Sequence, residues 1–263
     1  MGIVLAVIIG LLALPVLAVM MFIIYDAVLL IRRPLRRLYA KISAKESFVP
    51  IGQTPKQFKD ILLLLEDVNF YKHHGIRPRA IRGSIRINRN AGRIVTGGST
   101  ITQQLMKNLY FHSFRKSYIR KIAEAFLALW AECVLSKDQI LEMYINIIYY
   151  GNGIYGSSEA ARFYFNKELQ ELNMNQYFLL SSIPKAPTRG NPIQHPEVFE
   201  RIRNKNLDFY VECGRLSVED KNTIVAHNAS CLDEELRKAD DYTDNYPQDI
   251  VLTNEKYGPG VFK

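Results

Sequence analysis

The sequence predicts a mainly α-helical protein with an N-terminal transmembrane helix. Three observations carry that expectation. Residues 3–24 form an unbroken apolar run. Several later segments repeat apolar residues at the three- and four-residue spacing of a helix face. No stretch alternates long enough with the two-residue period of a half-buried strand.

Ile3 to Ile24 reads IVLAVIIGLLALPVLAVMMFII. A helix of about 20 such residues spans a hydrocarbon core of roughly 30 Å, and Gly10 and Pro15 are tolerable inside it. The run is too long for a signal peptide and lacks a basic leader, although Leu17-Ala18 resembles a cleavage site, so an uncleaved anchor over residues 1–30 is expected. Residues 31–50 read as a basic juxtamembrane linker carrying Arg32, Arg33, Arg36, Arg37 and Lys41. By the positive-inside rule these charges place the large domain in the cytoplasm. They can equally bind anionic headgroups, so both topologies stay open at this level.

A single domain is expected over residues 51–232, followed by a polar, acid-leaning tail over 233–263. Thr54 caps a helix with Pro55 at its first position and Gln57 closing a capping box; the helix runs through ILLLLED. Arg77 to Asn90 is expected to be helical, Gly92 to Gly98 a loop, and Thr100 to Leu109 a further helix. Ser117 to Leu135 is the clearest amphipathic helix, with Ile119, Ile122, Phe126, Leu129 and Cys133 along one buried face. Ser136 and Gln139 open the next helix, which runs through Asn146. A glycine-rich turn at Gly151, Gly153 and Gly156 precedes helices at Glu159–Phe165 and Asn175–Ile183, the latter ended by Pro184 and Pro187. Cys133, Cys213 and Cys231 show no metal-type spacing and read as buried thiols, with Cys213–Cys231 the pairing open to an oxidising compartment.

The formal charge is +8, and it is unevenly placed. Lys72 to Lys121 holds twelve Lys and Arg, while no Asp or Glu occurs from Val68 to Ala123. Such a block is either a solvated basic face or the footprint of an anionic partner: nucleic acid, a phosphorylated substrate or a membrane surface.

Three strings carry chemistry. In Glu66-Asp67-Val68-Asn69-Phe70-Tyr71-Lys72-His73-His74-Gly75, two acids follow four leucines. A carboxylate emerging from apolar surface suits a general base, and a solvated acidic helix end is the plain alternative. In Gly97-Gly98-Ser99-Thr100, glycines and hydroxyls at a helix start offer backbone N–H groups to a phosphate, with Lys107 two turns on. Arg120 and Glu124 lie one helical turn apart, either as an exposed ion pair or as a carboxylate held in place by a guanidinium.

In this order and spacing, the strings resemble the family 51 glycosyltransferases, the peptidoglycan glycosyltransferases. Glu66, Asp67, Phe70, His73 and Gly75 match the family's first motif. Gly97 to Gln104 with Lys107 and Asn108 match the second, and Arg120, Lys121, Glu124 and Ala125 the third. Lys137, Ile140, Leu141, Glu142, Tyr144 and Asn146 match a fourth. Gly151 to Gly156, Ala160-Ala161 and Asn191-Pro192 extend the match over roughly residues 50–210. Asn166 departs from a usual glycine, and the last arginine-rich motif is only loosely echoed by Arg201, Arg203 and Leu207.

The resemblance implies a lysozyme-like helical fold whose lobe dips into the membrane. It implies lipid II and a growing lipid-linked glycan strand as substrates, with Glu66 as general base and Glu124 as second carboxylate. Asp67, Phe70, His73, Arg93, Ser99, Thr100, Gln104, Lys107, Asn108, Arg120 and Lys121 become the implied substrate contacts. No metal ligand is assigned, and a divalent cation, Mg or Mn, is the one cofactor the resemblance leaves open, at Glu124. Membrane lipids and other cell-wall synthesis proteins are implied partners, and nucleic acid is not. The location implied is the outer face of the cytoplasmic membrane, single-pass. The length suggests the monofunctional type, without a transpeptidase domain. A lysozyme-like hydrolase and a membrane-tethered nucleic-acid binder are the alternatives; neither needs both the carboxylates and the phosphate cradle.

Overall fold

A computed structural model describes residues 24–92, 97–111, 118–185, 187, 191–212, 214 and 216–226, with residues 13, 17, 20 and 21 ahead of them. Most of the apolar run, Arg93, Cys213, Cys231 and the tail over 233–263 lie outside the described residues. Among the described residues no helix is long and apolar enough to cross a membrane. These residues are mainly helical, as the sequence predicts, and contain no strand beyond one bridge between Tyr149 and Tyr155.

Helix α1 (24–32) leads through Pro34 into α2 (Leu35–Ser43). Then follow α3 (Lys56–Asp67), α4 (Pro78–Asn90), α5 (Ile101–Tyr110), α6 (Tyr118–Val134) and α7 (Lys137–Ile147). After the glycine-rich turn come α8 (Ser157–Phe165), α9 (Met174–Ser182) and α10 (Pro196–Glu212), and α11 covers 218–226. Helix α7 is the centre: every residue from Ile140 to Ile147 is buried. It packs against α2, α5, α6 and α8, while α3 and α10 pack on α9. A helix that is apolar all round belongs in a core, and α7 carries two polar residues there only because both are fully employed. Glu142 accepts from Tyr39 Oη at 2.5 Å and from the Ile51 N–H at 2.6 Å. Asn146 accepts from the Val49 N–H at 2.8 Å and donates to the Val49 carbonyl at 2.9 Å. Two residues of the fourth motif thus fasten the chain around Tyr39, Val49 and Ile51 onto the core.

Several expectations need correction. Thr54 does not cap α3. Its hydroxyl donates back to the Pro50 carbonyl at 3.1 Å, Pro55 takes the cap position, and Gln57 closes no box. The Ser136–Gln139 capping box does form, as does one between Thr100 and Gln103. Four of the residues read as the buried face of α6 lie on its outer face: Ile122, Phe126 and Leu129 are 48%, 44% and 40% exposed, and Cys133 is exposed too, while the Ile119 side chain lies outside the described residues. Ala123, Leu127, Ala128 and Ala131 are buried instead. Both sides of α6 are apolar, so periodicity could not choose between them. The small residues won because they let α5 come close. The expected linker contains α2, whose Leu35, Leu38 and Ile42 are buried, and α10 and α11 had no expected counterpart.

Candidate active site

The first string straddles the end of α3, and its two acids part company there. Glu66 is half-buried; Asp67 is 1% exposed and turned inward. Asp67 accepts from Arg77 Nη1 at 3.2 Å and from the Ile101 N–H at 3.1 Å, and it pairs with His73 Nε2 at 2.7 Å. One carboxylate therefore ties the end of α3, the 3-10 turn after it, the approach to α4 and the N-terminus of α5. The fit is close. Gly75, at φ +83°, lies so near α6 that a Cβ there would sit 2.7 Å from the Ala128 carbonyl oxygen.

This network bears directly on one expectation. Three N–H groups at the start of α5 are already engaged within the protein. The Thr100 N–H donates to Gln103 Oε1, the Gln103 N–H to Thr100 Oγ1, and the Ile101 N–H to Asp67. The anion favoured by that helix terminus is the protein's own carboxylate. Asp67, Phe70 and Thr100, implied as substrate contacts, are all interior, at 1%, 1% and 0% exposure. Thr100 Oγ1 is spent on the Gly75 carbonyl at 2.5 Å. His73 faces Asp67, and its Nδ1 is buried without a partner.

Asp67→Asn removes the charge from this junction while preserving its size. Losing one partner of a buried pair costs up to about 3–5 kcal/mol. Because an amide still accepts one bond, we expect about 2–4 kcal/mol, read as a thermal midpoint several degrees lower in detergent. An unchanged midpoint would show that the junction does not support the fold.

Glu66 is held differently. Gln104 Nε2 donates to its Oε2 at 2.8 Å, and Tyr144 Oη donates to Gln104 Oε1 at 3.1 Å. Tyr144 is wholly buried, and loss of hydration first, then the Glu66 charge, push its phenol well above the usual range. It stays a donor, which fixes the amide's orientation and thus the carboxylate's. Gln104 positions Glu66, with both ends of its amide already engaged. Glu66 Oε1 is buried with no partner. A buried carboxylate oxygen left unsatisfied while its twin is fixed is what a base awaiting a proton donor looks like.

Gln104, Lys107 and Asn108 are the residues of α5 that are not buried, and their spacing puts them on one side of the helix. Ser99, just before α5, accepts from Lys121 Nζ at 3.1 Å. Lys121 also pairs with Glu124, and Arg120 Nε lies 3.0 Å from the other Glu124 oxygen. Glu124 is 0% exposed. Both its oxygens face cations, so it orients Arg120 and Lys121 and has little left for a divalent ion. Among the described residues, no group of three His, Cys, Asp or Glu could hold a metal.

The transglycosylase family model matches residues 33–210. The chain belongs to that family. Its relatives include penicillin-binding protein 1A of Aquifex aeolicus, 39% identical over 228 residues, or 86% of this chain and 31% of that one. Penicillin-binding protein 1F of Bacillus subtilis is 39% identical over 66% of this chain and 24% of its own length. The chain therefore spans under a third of those relatives. A crystal structure of penicillin-binding protein 1A from Haemophilus influenzae overlaps at a TM-score of 0.31 and 24% identity, over 48% of this chain and 15% of that one. That overlap is too slight to add to the fold.

Lys185 is the site neighbour that motif reading passed over. Its Nζ donates to Asn206 Oδ1 at 2.9 Å. Loss of hydration lowers its pKa, Glu66 pulls it back up, and Lys205 lowers it further. A lone lysine between two prolines gives no periodic or spacing signal, and its neighbour Asn206 lies on α10, which sequence reasoning left unassigned.

Proposed function

We propose that this transglycosylase polymerises the glycan strands of bacterial peptidoglycan, with lipid II as acceptor and the growing lipid-linked strand as donor. The observation that carries the reading is the state of Glu66: one oxygen fixed by Gln104, the other buried and unpartnered. Oε1 takes the proton of the acceptor's GlcNAc 4-hydroxyl. The oxygen attacks the donor's anomeric carbon, and the bond to the pyrophosphate breaks with its electron pair leaving on undecaprenyl pyrophosphate. The α-linkage becomes β by one inversion.

Charge then grows on the leaving oxygen. In this reading Lys107, Arg120 and Lys121 receive it, with Ser99 and Asn108 as donors, and Arg93, outside the described residues, is assigned as a further cation. Groups already oriented before reaction stabilise the transition state more than the ground state. Ser99 lies just before α5, and Gln104, Lys107 and Asn108 lie on one side of it, so one short helix serves both the base and the cradle. Glu124 orients that cradle, and no step is assigned to a metal.

A membrane-anchored enzyme on the outer face of the cytoplasmic membrane fits substrates with lipid tails. Ile122, Phe126, Leu129 and Trp130 of α6 present apolar surface, and Val68 and Tyr71 beside the site are 51% and 53% exposed. A patch of this kind marks a partner or a bilayer.

The test is incubation of the detergent-solubilised full chain with labelled lipid II. Long glycan products are expected. Cleavage of preformed peptidoglycan without polymer formation would favour a hydrolase and sink this reading.

A further inference from the structure

Helix α4 is the least embedded helix around the site: of Pro78–Asn90, only Ser84 is buried. Arg79, Arg82, Arg86 and Arg89 recur at intervals of three, four and three residues, along one exposed side. None of the four has an ion-pair or hydrogen-bond partner among the described residues. No acid occurs in the helix or anywhere from Val68 to Ala123. Like charges one turn apart weaken a helix, so a stripe of four is kept against its own repulsion. Ile85 and Ile87, 62% and 48% exposed, lie at its two margins.

Close approaches just before α4 and onto it tie the stripe to α6 and to the start of α5. Gly75, three residues before α4, is pressed against Ala128 of α6, and a Cβ on Gly98 would sit 2.5 Å from Ser84 Oγ of α4. The chain leaves its proposed membrane segment nearby. Tyr25 stacks on Phe111 at 6.5 Å and Tyr110 Oη donates to the Arg33 carbonyl at 2.6 Å, both at the end of α5 shortly before α6 begins. Exposed basic side chains on α4 and apolar ones on α6, joined through Gly75, match a surface that is anionic outside and greasy beneath.

We propose that Arg79, Arg82, Arg86 and Arg89 dock on anionic phospholipid headgroups and thereby seat Ile122, Phe126, Leu129 and Trp130 in the bilayer beside the cleft. This rests on the membrane-anchored reading given under Proposed function. Isoleucines at the stripe's margins favour a lipid surface over a purely ionic polymer. The arginines act on where the lobe sits and not on the bond being made, so they stay dispensable wherever no bilayer is present.

Trp130 is the only tryptophan, so its emission reports on the lobe alone. The full chain is reconstituted in phosphatidylcholine vesicles with brominated acyl chains, with or without phosphatidylglycerol. Each basic charge near an anionic surface changes partition roughly fivefold. Quenching of Trp130 should therefore rise several-fold with phosphatidylglycerol and fall back in high salt. In R82E/R86E the two vesicle types should quench alike, and R82Q/R86Q should lie between. Both variants should polymerise lipid II in detergent within about twofold of wild type, as surface changes remote from a site do. Equal quenching of wild type in both vesicles, or an undiminished lipid response in both variants, overturns the proposal. Normal lipid-dependent quenching in a wild-type protein that makes no polymer would sink the polymerase reading and still support this one.

Discussion

Glu66→Gln is expected to polymerise lipid II about 10²–10⁴-fold more slowly than wild type, the usual loss when a general base is removed. The amide keeps the size of the side chain and its bond to Gln104, but it has no lone pair basic enough to take the acceptor's proton. The loss should lie at the upper end, because Oε1 is shielded from solvent and no ready water can stand in. Folding should survive, since a half-buried carboxylate gives way to a group that is cheaper to desolvate. Affinity for a donor-mimicking inhibitor should also survive, because the proposed pyrophosphate contacts lie on α5 and α6. The measurements are single-variant turnover and inhibitor binding on the same preparation. Near wild-type turnover would remove Glu66 from the role of base. Unchanged binding with lost turnover separates this outcome from that of Asp67→Asn, where the loss enters through the fold.

Much of this was legible in the sequence, and the illegible part has a physical pattern. Helix α7 could be read because its apolar period coincided with the capping signal at Ser136, and α5 because glycines and hydroxyls mark its start. The pairing of Glu124 with Arg120 followed from i, i+4 spacing alone. The failures came where sequence offers two equivalent answers. Helix α6 has apolar residues on both sides, and only the volume of the alanines decides which side meets α5. The Gly97–Thr100 loop could have offered its N–H groups to phosphate or to a carboxylate from elsewhere in the chain. Asp67, 34 residues away, took the N–H of Ile101 just beyond it, Gln103 took that of Thr100, and no local pattern announces a contact at the separation of the first. Gln104 likewise reads as a polar residue ready for a sugar, yet both ends of its amide are taken by Tyr144 and Glu66, from two other helices. Helix α2 was masked by its arginines, which disguise the spacing of Leu35, Leu38 and Ile42.

Lys107→Ala is the second large effect, and it tests the cradle where Glu66→Gln tests the base. With the Ile101 N–H at the start of α5 engaged by Asp67, the leaving pyrophosphate of the proposed reaction would lean on side-chain cations. Lys107 shares its face of α5 with Gln104, so it lies within one turn of the residue that holds the base. Removing one donor aimed at developing charge costs about 3–4 kcal/mol of transition-state stabilisation, a rate loss of about 10²–10³. The partly exposed position predicts little change in thermal midpoint. Because the charge grows during bond breaking, turnover should fall more than donor affinity does, the signature of an interaction made chiefly in the transition state. Lys107→Arg separates charge from shape. The guanidinium keeps the charge but spreads it over a planar fork, so partial activity is expected if charge alone matters. The readout is turnover of alanine and arginine variants on lipid II, with inhibitor affinity measured beside it. An alanine variant with near-normal turnover would leave Arg120 and Lys121 as the whole cradle, and the α5 face would then serve only to hold Glu66.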